Sequence, residues 1–440
     1  MAKVKAKAKP HQITLRCYNV GFGDCFLLTF HYAKAGSPQK DRHILIDFGS
    51  TSRPKPFEDD ARHMKNIAAD IGRACEGKLD AVVATHRHTD HVSGFAGQTG
   101  KMIAALAPDV VIQPWTEDPE AEEEGTAPVN DPGQAKQALA GSLRNMRELA
   151  AAVHEAHKGG TTEMDRQLAF LGLENIKNED AVKRLAEMGE GRYVYFGSKC
   201  GLEEMLPGVK VRVLGPPTLE QSEEIGSYAK DSEEYWFAAV RPMALFWAAQ
   251  AGMAARASKG KRLFPKAETR QVEEAAEEVR WFAKRAEAEA QDQTLGIVRR
   301  LDACMNNTSV ILLFEAGGKR LLFPGDAQAE NWMYALRRLE EKGEIGLLEE
   351  VDLYKVGHHG SLNATPRSLW AKFRKKGGAE MEGRLQSVMS TKPDKHGSEA
   401  NHSEVPRRPL VEELESESEL LRTDKMEKPD GLAKVIAIPL

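Results

Sequence analysis

The feature that most constrains this chain is a dense set of metal-binding side chains directly after a short apolar run. Leu79 to Thr85 predicts a β-strand, and three imidazoles and one carboxylate follow within six residues, in Thr85-His86-Arg87-His88-Thr89-Asp90-His91. A loop leaving a strand can turn His86 and His88 toward one metal ion, and the Asp-His pair toward a second. A solvated polar loop is the alternative, and this composition disfavours it. We therefore expect a fold that places a metal centre at a strand end.

The residues before this motif predict a layered α/β architecture. Strands are expected over Ile13 to Val20, Cys25 to Tyr32 and His43 to Phe48, with a turn at Gly21-Phe22-Gly23. Helical spacing of apolar residues follows over Asp59 to Glu76. Strands and helices that alternate along a chain pack as layers rather than as a helix bundle.

The middle of the chain predicts helices, with strands between and after them. Helices are expected over Gln134 to His157, Glu163 to Met188, Tyr235 to Met253 and Ala267 to Gln291. Strands are expected over Arg192 to Phe196, Val209 to Leu214 and Val351 to Val356, and a hairpin over Ser309 to Glu315 and Lys319 to Phe323. A helix is expected over Gln328 to Lys342. The chain is thus expected to form one α/β core interrupted by two helical insertions.

Three further elements place chemistry-bearing side chains at expected strand ends. Asp47 closes Ile44-Leu45-Ile46, Asp326 closes Leu322-Phe323-Pro324-Gly325, and two histidines occur in Lys355-Val356-Gly357-His358-His359-Gly360-Ser361. Together with the loop from His86 to His91, these elements resemble, in order, the motifs of the metallo-β-lactamase superfamily.

That resemblance implies a four-layer αββα sandwich. Its N-terminal half would span residues 1–115 and its C-terminal half 304–440, with core strands in 192–217. The two mainly helical insertions would then occupy residues 116–191 and 218–303.

The resemblance also implies roles for the motif residues. The expected metal ligands are His86, His88, Asp90, His91, Asp326 and His358. Asp326 would bridge two ions, because a carboxylate offers two oxygens and a negative charge. Asp47 would brace the histidine loop from behind. The sequence does not decide between His358 and His359; we assign His358 as the ligand and His359, with Asp90, as the catalytic group.

Within the superfamily, the chain resembles the hydrolase domain of bacterial DNA-uptake competence proteins. The resemblance is carried by Val20-Gly21-Phe22-Gly23-Asp24, Asn306-Asn307-Thr308-Ser309-Val310, the His-His-Gly-Ser element and, more loosely, Asn401-His402-Ser403-Glu404. It covers roughly residues 1–115, 192–217 and 304–412. It implies that Asp24, Asn307 and His402 support the ligands or contact the substrate.

Two departures from the superfamily pattern affect the expected cofactor and context. The lone third-motif histidine has no counterpart except His154 and His157, which we interpret as surface residues of a helix. Water, Asn307 or His402 would then complete the first ion's ligands, so two zinc or two manganese ions are both compatible. Competence proteins also join this domain to membrane channels, whereas the longest apolar run here, Tyr235 to Met253, contains Arg241 and Pro242.

These motifs predict a metallohydrolase that uses a metal-activated hydroxide. Phosphodiester bonds are the expected target, which would make the protein a nuclease or phosphodiesterase. One alternative is hydrolysis of a small-molecule ester, a lactone or a phosphorylated metabolite. Another is a non-catalytic metal-binding interaction protein, which the complete ligand set disfavours.

Charge and composition limit the partners. The chain has 61 Lys and Arg against 66 Asp and Glu, a formal net charge of -5, which argues against a strongly basic nucleic-acid coat protein. The acidic stretch Glu117 to Glu124 would repel a polyanion near the cleft. Basic residues that would offset it are Arg87, Lys355, Lys392, Lys395 and the cluster Lys372, Arg374, Lys375 and Lys376. Nucleic acid therefore remains an open partner.

Two further expectations concern location and assembly. The five cysteines are scattered and form no Cys-x-x-Cys pair, which fits a reducing compartment, and no apolar leader follows Met1, so the cytoplasm is expected. Tyr235-Trp236-Phe237 and Leu245-Phe246-Trp247 predict a lid or a contact in a homo-oligomer. A helix packed wholly on the core is equally compatible with these aromatic residues.

Overall fold

A computed structural model describes most of the chain outside the expected insertions. The described residues are 8–32, 40–118, 178–218, 221–222, 305–361, 365–397, 399, 404–427 and 431–440. They all belong to one compact unit, formed by Met1–Ala140, Lys177–Gly226 and Met305–Leu440. A second unit, Gly141–Ile176 and Ser227–Cys304, lies outside the described residues, and so does the expected lid.

The first of two mixed β-sheets has seven strands. They are β1 Gln12–Tyr18, β2 Cys25–His31, β3 Arg42–Phe48, β4 Ala81–Val83, β5 Val110–Pro114, β6 Glu190–Val194 and β13 Ala433–Pro439. Their order is β13-β1-β2-β3-β4-β5-β6. The pairs from β13 to β3 are antiparallel, and those from β3 to β6 are parallel.

The second sheet has six strands and the same mixture. They are β7 Val209–Gly215, β8 Ile311–Ala316, β9 Lys319–Phe323, β10 Leu353–Lys355, β11 Gln386–Met389 and β12 Glu419–Arg422. Their order is β12-β11-β10-β9-β8-β7. The pairs β7–β8 and β8–β9 are antiparallel, and β9 to β12 are parallel.

Apolar side chains that alternate along the strands hold the two sheets face to face. In β2, Phe26 and Phe30 belong to the core between the sheets, whereas Leu27 faces the outer layer. Phe26 lies 6.2 Å from Phe323 and Phe30 lies 5.9 Å from Phe314, measured between ring centroids, so both contacts cross between the sheets. Burying each such ring contributes roughly 1.5–3 kcal/mol.

Helices cover the outer face of each sheet. The described helices are α1 His63–Ala74, α2 Thr89–Val92, α3 Gly97–Ala104, α4 Glu179–Glu187, α5 Leu202–Met205, α6 Ala329–Glu341, α7 Gly346–Glu349, α8 Arg367–Trp370 and α9 Arg408–Glu417. α1, α3 and α4 pack on the first sheet through apolar residues such as Ile67, Ile103 and Leu185. α6 and α9 pack on the second through Trp332 and Leu414. None of the helices in the described ranges has the length and apolar character that crossing a bilayer requires.

The α/β class expected from the sequence is confirmed, and one strand from the C-terminal part of the chain belongs to the first sheet. Within the range 304–440, expected to form the C-terminal half of the core, β13 pairs with β1 in the first sheet. This pairing joins the two ends of the sequence, and no local pattern of residues specifies it. The strand expected over Leu79 to Thr85 is shorter, Ala81–Val83, because the chain turns there into the histidine loop.

The parallel strands of both sheets direct their carboxyl ends to one seam. Strands β3 and β4 end there in the first sheet, and β9, β10 and β11 end there in the second. Two hydrogen bonds cross the seam. Val310 N donates to Thr85 O at 2.8 Å, and the Ser390 hydroxyl donates to Gly23 O. Loops that follow these strands therefore meet, as ligand-binding loops do at the carboxyl edge of α/β sheets.

Candidate metal centre

Two imidazoles and two carboxylates meet at this seam. Asp90, His91, Asp326 and His359 each offer one ligand atom, and these atoms all lie within 4.8 Å of one another. His91 Nε2 lies 3.0 Å from Asp326 Oδ2, and His359 Nε2 lies 2.9 Å from Asp90 Oδ2. His359 Nε2 is also 3.5 Å from Asp326 Oδ2. We call these four residues the central group.

Asp47 holds the histidine loop in place from behind. Its carboxylate accepts hydrogen bonds from Thr85 N at 2.8 Å and Thr85 Oγ1 at 2.7 Å. Its Oδ2 also lies 2.8 Å from His91 Nδ1, which leaves His91 Nε2 directed at the central group. Asp47 has a φ of 55°, a strained conformation that such a network of contacts can maintain.

His86 and His88 lie beside the central group as a second donor set. His86 Nε2 is 3.0 Å from His88 Nδ1, and the His86 and His91 rings are 4.1 Å apart between centroids. His88 Nδ1 is also 3.1 Å from Asn306 Oδ1. Both histidines are buried, so the described part of the loop turns all three of its imidazoles inward.

The two adjacent histidines have different surroundings. His359 belongs to the central group, because its Nδ1 lies 3.0 Å from Ser390 O and its Nε2 therefore points at the carboxylates. His358 instead places its Nδ1 2.7 Å from Ser361 Oγ, while its backbone N donates to Asp326 Oδ1 at 2.9 Å. Among the described residues it is thus His359, and not the expected ligand His358, whose ring joins the group that could hold a metal ion. Both have positive φ, 40° and 53°, which turns the tip of the loop inward.

Lys355 is not the surface charge that the sequence suggested. Its side chain is 2% exposed, and its ammonium contacts Asp24 Oδ2 and donates to Gly325 O at 3.0 Å. It also lies 3.4 Å from Asp326 Oδ1. A buried lysine requires such partners, and β10 provides the position because its end lies beside the loop that follows β9.

Asn307, which was expected near the substrate, has other surroundings. Asn307 Nδ2 donates to Glu330 Oε2 at 2.9 Å, and the amide beside the histidines belongs to its neighbour Asn306. His402 lies outside the described residues, as do His154 and His157. Asp24 lies beneath the centre, with carboxylate oxygens 3.7 Å from His91 Nδ1 and 3.6 Å from His359 Nδ1.

Sequence reasoning missed a further histidine near the centre. The Phe22 ring lies between the rings of His359 and His396, with centroids 4.4 Å from each. Burial and the nearby Lys395 lower the pKa of His396 to about 4, so its imidazole is neutral at pH 7. The only sequence signal was indirect, since Phe22 occupies the Gly-Phe-Gly turn and the loop after β11 carries this histidine.

Most of the basic residues considered for binding a polyanion are engaged with carboxylates. Arg87 and Glu117 form an ion pair at 3.2 Å with side chains 15% and 6% exposed, so the first carboxylate of the acidic stretch is buried and paired. Lys392 Nζ lies 2.8 Å from Glu58 Oε1. In the cluster after the His-His-Gly-Ser element, three residues pair with carboxylates, Lys372 with Glu340, Arg374 with Glu349 and Lys375 with Asp352.

Burial and mutual charge set the protonation states of the central group. Burial alone would lower the pKa of His91 and His359, but Asp326 and the other carboxylates outweigh it and raise both. Burial opposes ionisation of Asp326 and Asp90, yet the imidazolium charges hold the pKa of each below its usual range. His86 differs, since burial and the other two imidazoles lower its pKa. Without a metal ion, His91 and His359 therefore neutralise the carboxylates.

The donor chemistry fits a divalent cation. Imidazole nitrogens and carboxylate oxygens are ligands for zinc and manganese, and the central group brings four such atoms close together. Their positions are fixed by partners outside the group, Asp47 on His91 and Ser390 on His359, as is usual for metal-binding histidines. The buried His and Asp residues could thus hold a metal ion.

No protein-family model matches the chain, and no curated protein sequence matches it either.

Metal binding is expected to release up to about two protons and to strengthen as pH rises. The reason is that His91 and His359 have raised pKa values and must lose a proton to act as ligands. Titration calorimetry in buffers of different ionisation enthalpy measures the number released. In the metal-free protein the same groups stabilise the fold at low pH, and this contribution is lost as pH rises through their raised pKa values. Metal binding with no proton release between pH 6 and 8 would contradict these protonation states.

Proposed function

We propose that this protein is a metal-dependent hydrolase of the metallo-β-lactamase superfamily. The observation that carries the proposal is the central group, which draws Asp90 and His91 from the first sheet and Asp326 and His359 from the second. Support also comes from the two face-to-face mixed sheets with helices outside, since an αββα sandwich of that superfamily has this layering.

We propose two divalent ions, zinc or manganese, as the cofactor. His86 and His88 would hold one and the central group the other, with Asp326 between them; the charge of Asp326 acts on His86 as well as on His91. When bound, such ions activate a water molecule and polarise the bond to be cleaved.

The chain's own residues would orient the reaction. Asp90 presents Oδ2 to His359 Nε2 at 2.9 Å, and its side chain is 14% exposed where Asp326 is 1% exposed. It is therefore the carboxylate of the central group best placed to accept a proton from an attacking water molecule. His396 and Asn306 would contribute N–H donors to a phosphate near the centre, in place of the Asn307 suggested by the sequence.

A phosphodiester is the proposed substrate, and the paired basic residues favour a short one. Long nucleic acids are held through many Lys and Arg contacts to phosphates. Here Arg87 and Lys392 bind carboxylates, and Lys355 lies inside the fold. The same observation supports the second candidate, a small-molecule ester, a lactone or a phosphorylated metabolite.

A substrate screen separates these candidates. The zinc- or manganese-loaded protein is expected to cleave bis-p-nitrophenyl phosphate and short single-stranded DNA, and Asp90→Asn is expected to lower kcat/KM roughly 10²- to 10⁴-fold. Asp109→Asn is the matched control. The Asp109 carboxylate lies 2.6 Å from Lys78 Nζ in an exposed ion pair that is remote from the centre, so this variant should leave the rate unchanged.

Other outcomes would redirect the proposal. Turnover of a lactone or thioester without phosphodiester cleavage would favour the small-molecule candidate. Stoichiometric metal with no turnover of any of these substrates would favour a metal-binding interaction protein.

A further inference from the structure

A fully buried ammonium lies directly beneath the central group. Lys355 has a side chain 2% exposed, and the two carboxylates it contacts, Asp24 and Asp326, are 0% and 1% exposed. Charges removed from water to this extent are costly unless they are paired, so these three groups constrain one another. Burial opposes the charge on Lys355, but both carboxylates outweigh it and raise its pKa, so it is a fixed cation.

This ammonium makes the two oxygens of Asp326 different. Oδ1 lies 3.4 Å from Lys355 Nζ and accepts a hydrogen bond from His358 N at 2.9 Å. Oδ2 instead lies 3.0 Å from His91 Nε2 and 3.5 Å from His359 Nε2. A carboxylate with two donors on one oxygen is fixed in rotation, so it presents the other oxygen alone to the remaining members of the central group.

Lys355 also borders a second acidic set. Asp24, Asp47 and His91 likewise offer atoms within 4.8 Å of one another. In this set, however, Asp47 already accepts two hydrogen bonds from Thr85, and Asp24 is bound to the Lys355 ammonium. The lysine therefore supplies the positive charge at this position, and the central group is left as the site for a metal ion.

We propose that Lys355 is a positioning residue for the metal centre, which fixes Asp326 so that Oδ2 is its metal-facing oxygen. The inference rests on the metal-dependent function proposed above. The competing explanation is that Lys355 only neutralises the buried Asp24. Both explanations predict an unstable Lys355→Met protein, because that variant leaves the Asp24 carboxylate buried without its cation.

A charge-matched double variant separates the two explanations. Lys355→Met with Asp24→Asn removes the buried cation and one buried anion together, so the thermal unfolding midpoint of the metal-free protein should recover most of what Lys355→Met loses. If Lys355 positions Asp326, the double variant should still bind zinc or manganese roughly 10- to 100-fold more weakly than the wild type. Its cobalt-substituted form should also have an altered visible absorption spectrum, because the ligand geometry changes.

The chain offers a matched control for this experiment. Lys319 and Asp352 form a Lys-Asp pair at 3.1 Å on the same sheet, at the ends of β9 and β10 opposite the centre. Lys319→Met with Asp352→Asn should leave metal affinity and the cobalt spectrum unchanged, whatever it does to stability.

The possible results are distinguishable. Wild-type metal affinity and spectrum in a folded Lys355→Met, Asp24→Asn protein would overturn the positioning role. Failure of the wild-type protein to bind metal would refute the proposed function before any variant is made. Lys355→Gln with Asp24→Asn keeps an N–H donor and is expected to bind metal with intermediate affinity. If neither double variant folds, Lys355 has a structural role that neutralising Asp24 does not replace, and the positioning assignment is rejected.

Discussion

Replacing Asp326 with asparagine is expected, under the proposed function, to abolish metal binding and to lower kcat/KM for the metal-dependent reaction by about 10³-fold. Asp326 Oδ2 faces both imidazoles of the central group, at 3.0 and 3.5 Å. The amide has nearly the same size but no charge, so the loss is electrostatic. A metal ion stabilises the transition state by several kcal/mol, and each 1.36 kcal/mol of lost stabilisation slows the reaction about tenfold. Metal content by mass spectrometry and initial rates measure the two effects.

Asp352→Asn is the control for this experiment. Asp352 is also buried in the second sheet and accepts hydrogen bonds from Lys319 and Lys375, but it lies at the opposite end of the strands. Its replacement should reduce stability and leave metal content unchanged. An Asp326→Asn protein that retains stoichiometric metal would refute the central group as the metal site.

Gly49→Ala is expected to disable the centre without touching any ligand side chain. A Cβ at Gly49 would lie 2.4 Å from the Asp90 carbonyl carbon and 2.5 Å from His91 N, so the loop that carries both residues has to move. Overpacking of this kind costs about 1–3 kcal/mol of unfolding free energy. Displacing reactive groups by about 1 Å costs on the order of 10²-fold in rate. Chemical denaturation and the metal dissociation constant, measured together with rates, resolve these effects.

Gly72→Ala provides the comparison. Gly72 lies within α1, where the added Cβ would meet only Leu106 Cδ2, at an ordinary 3.6 Å. This change is expected to stabilise the protein by roughly 0.5–1 kcal/mol and to leave the rate unaltered. If Gly49→Ala has wild-type metal affinity and activity, the close approach of β3 to the histidine loop is not needed to position the centre.

The sequence predicted the parts of the centre that depend on local patterns. Strands end where apolar runs end, so Asp47, Asp326 and the loop from His86 to His91 could be located at strand ends before their contacts were known. The hairpin of β8 and β9 and the helix α6 follow equally local signals, a Gly-Gly turn and helical periodicity.

The rest depends on contacts between distant segments, which no local pattern specifies. In the sequence, Lys355 and Lys392 are both simply basic residues. In the structure, Lys355 is buried against Asp24, whereas Lys392 forms an ion pair with Glu58 near the surface. The placement of His359 rather than His358 in the central group depends on positive φ values and on the carbonyl of Ser390, which directly follows β11. His396 is identified only through its contact with Phe22, which lies in the first turn of the chain.

Because the central group lies at the seam between the sheets, metal binding there would also affect the stability of the fold. The contact between His359 and Asp90 joins residues 269 positions apart in the sequence and in different sheets. An ion bound by both therefore acts as a cross-link that closes a very long loop. Ligands that bind only the folded state stabilise it by mass action, by about 2.7 kcal/mol when present at 100 times their dissociation constant. Under the proposed function, chelation would therefore lower the free energy of unfolding as well as stop the reaction, and the folded fraction would depend on the metal concentration.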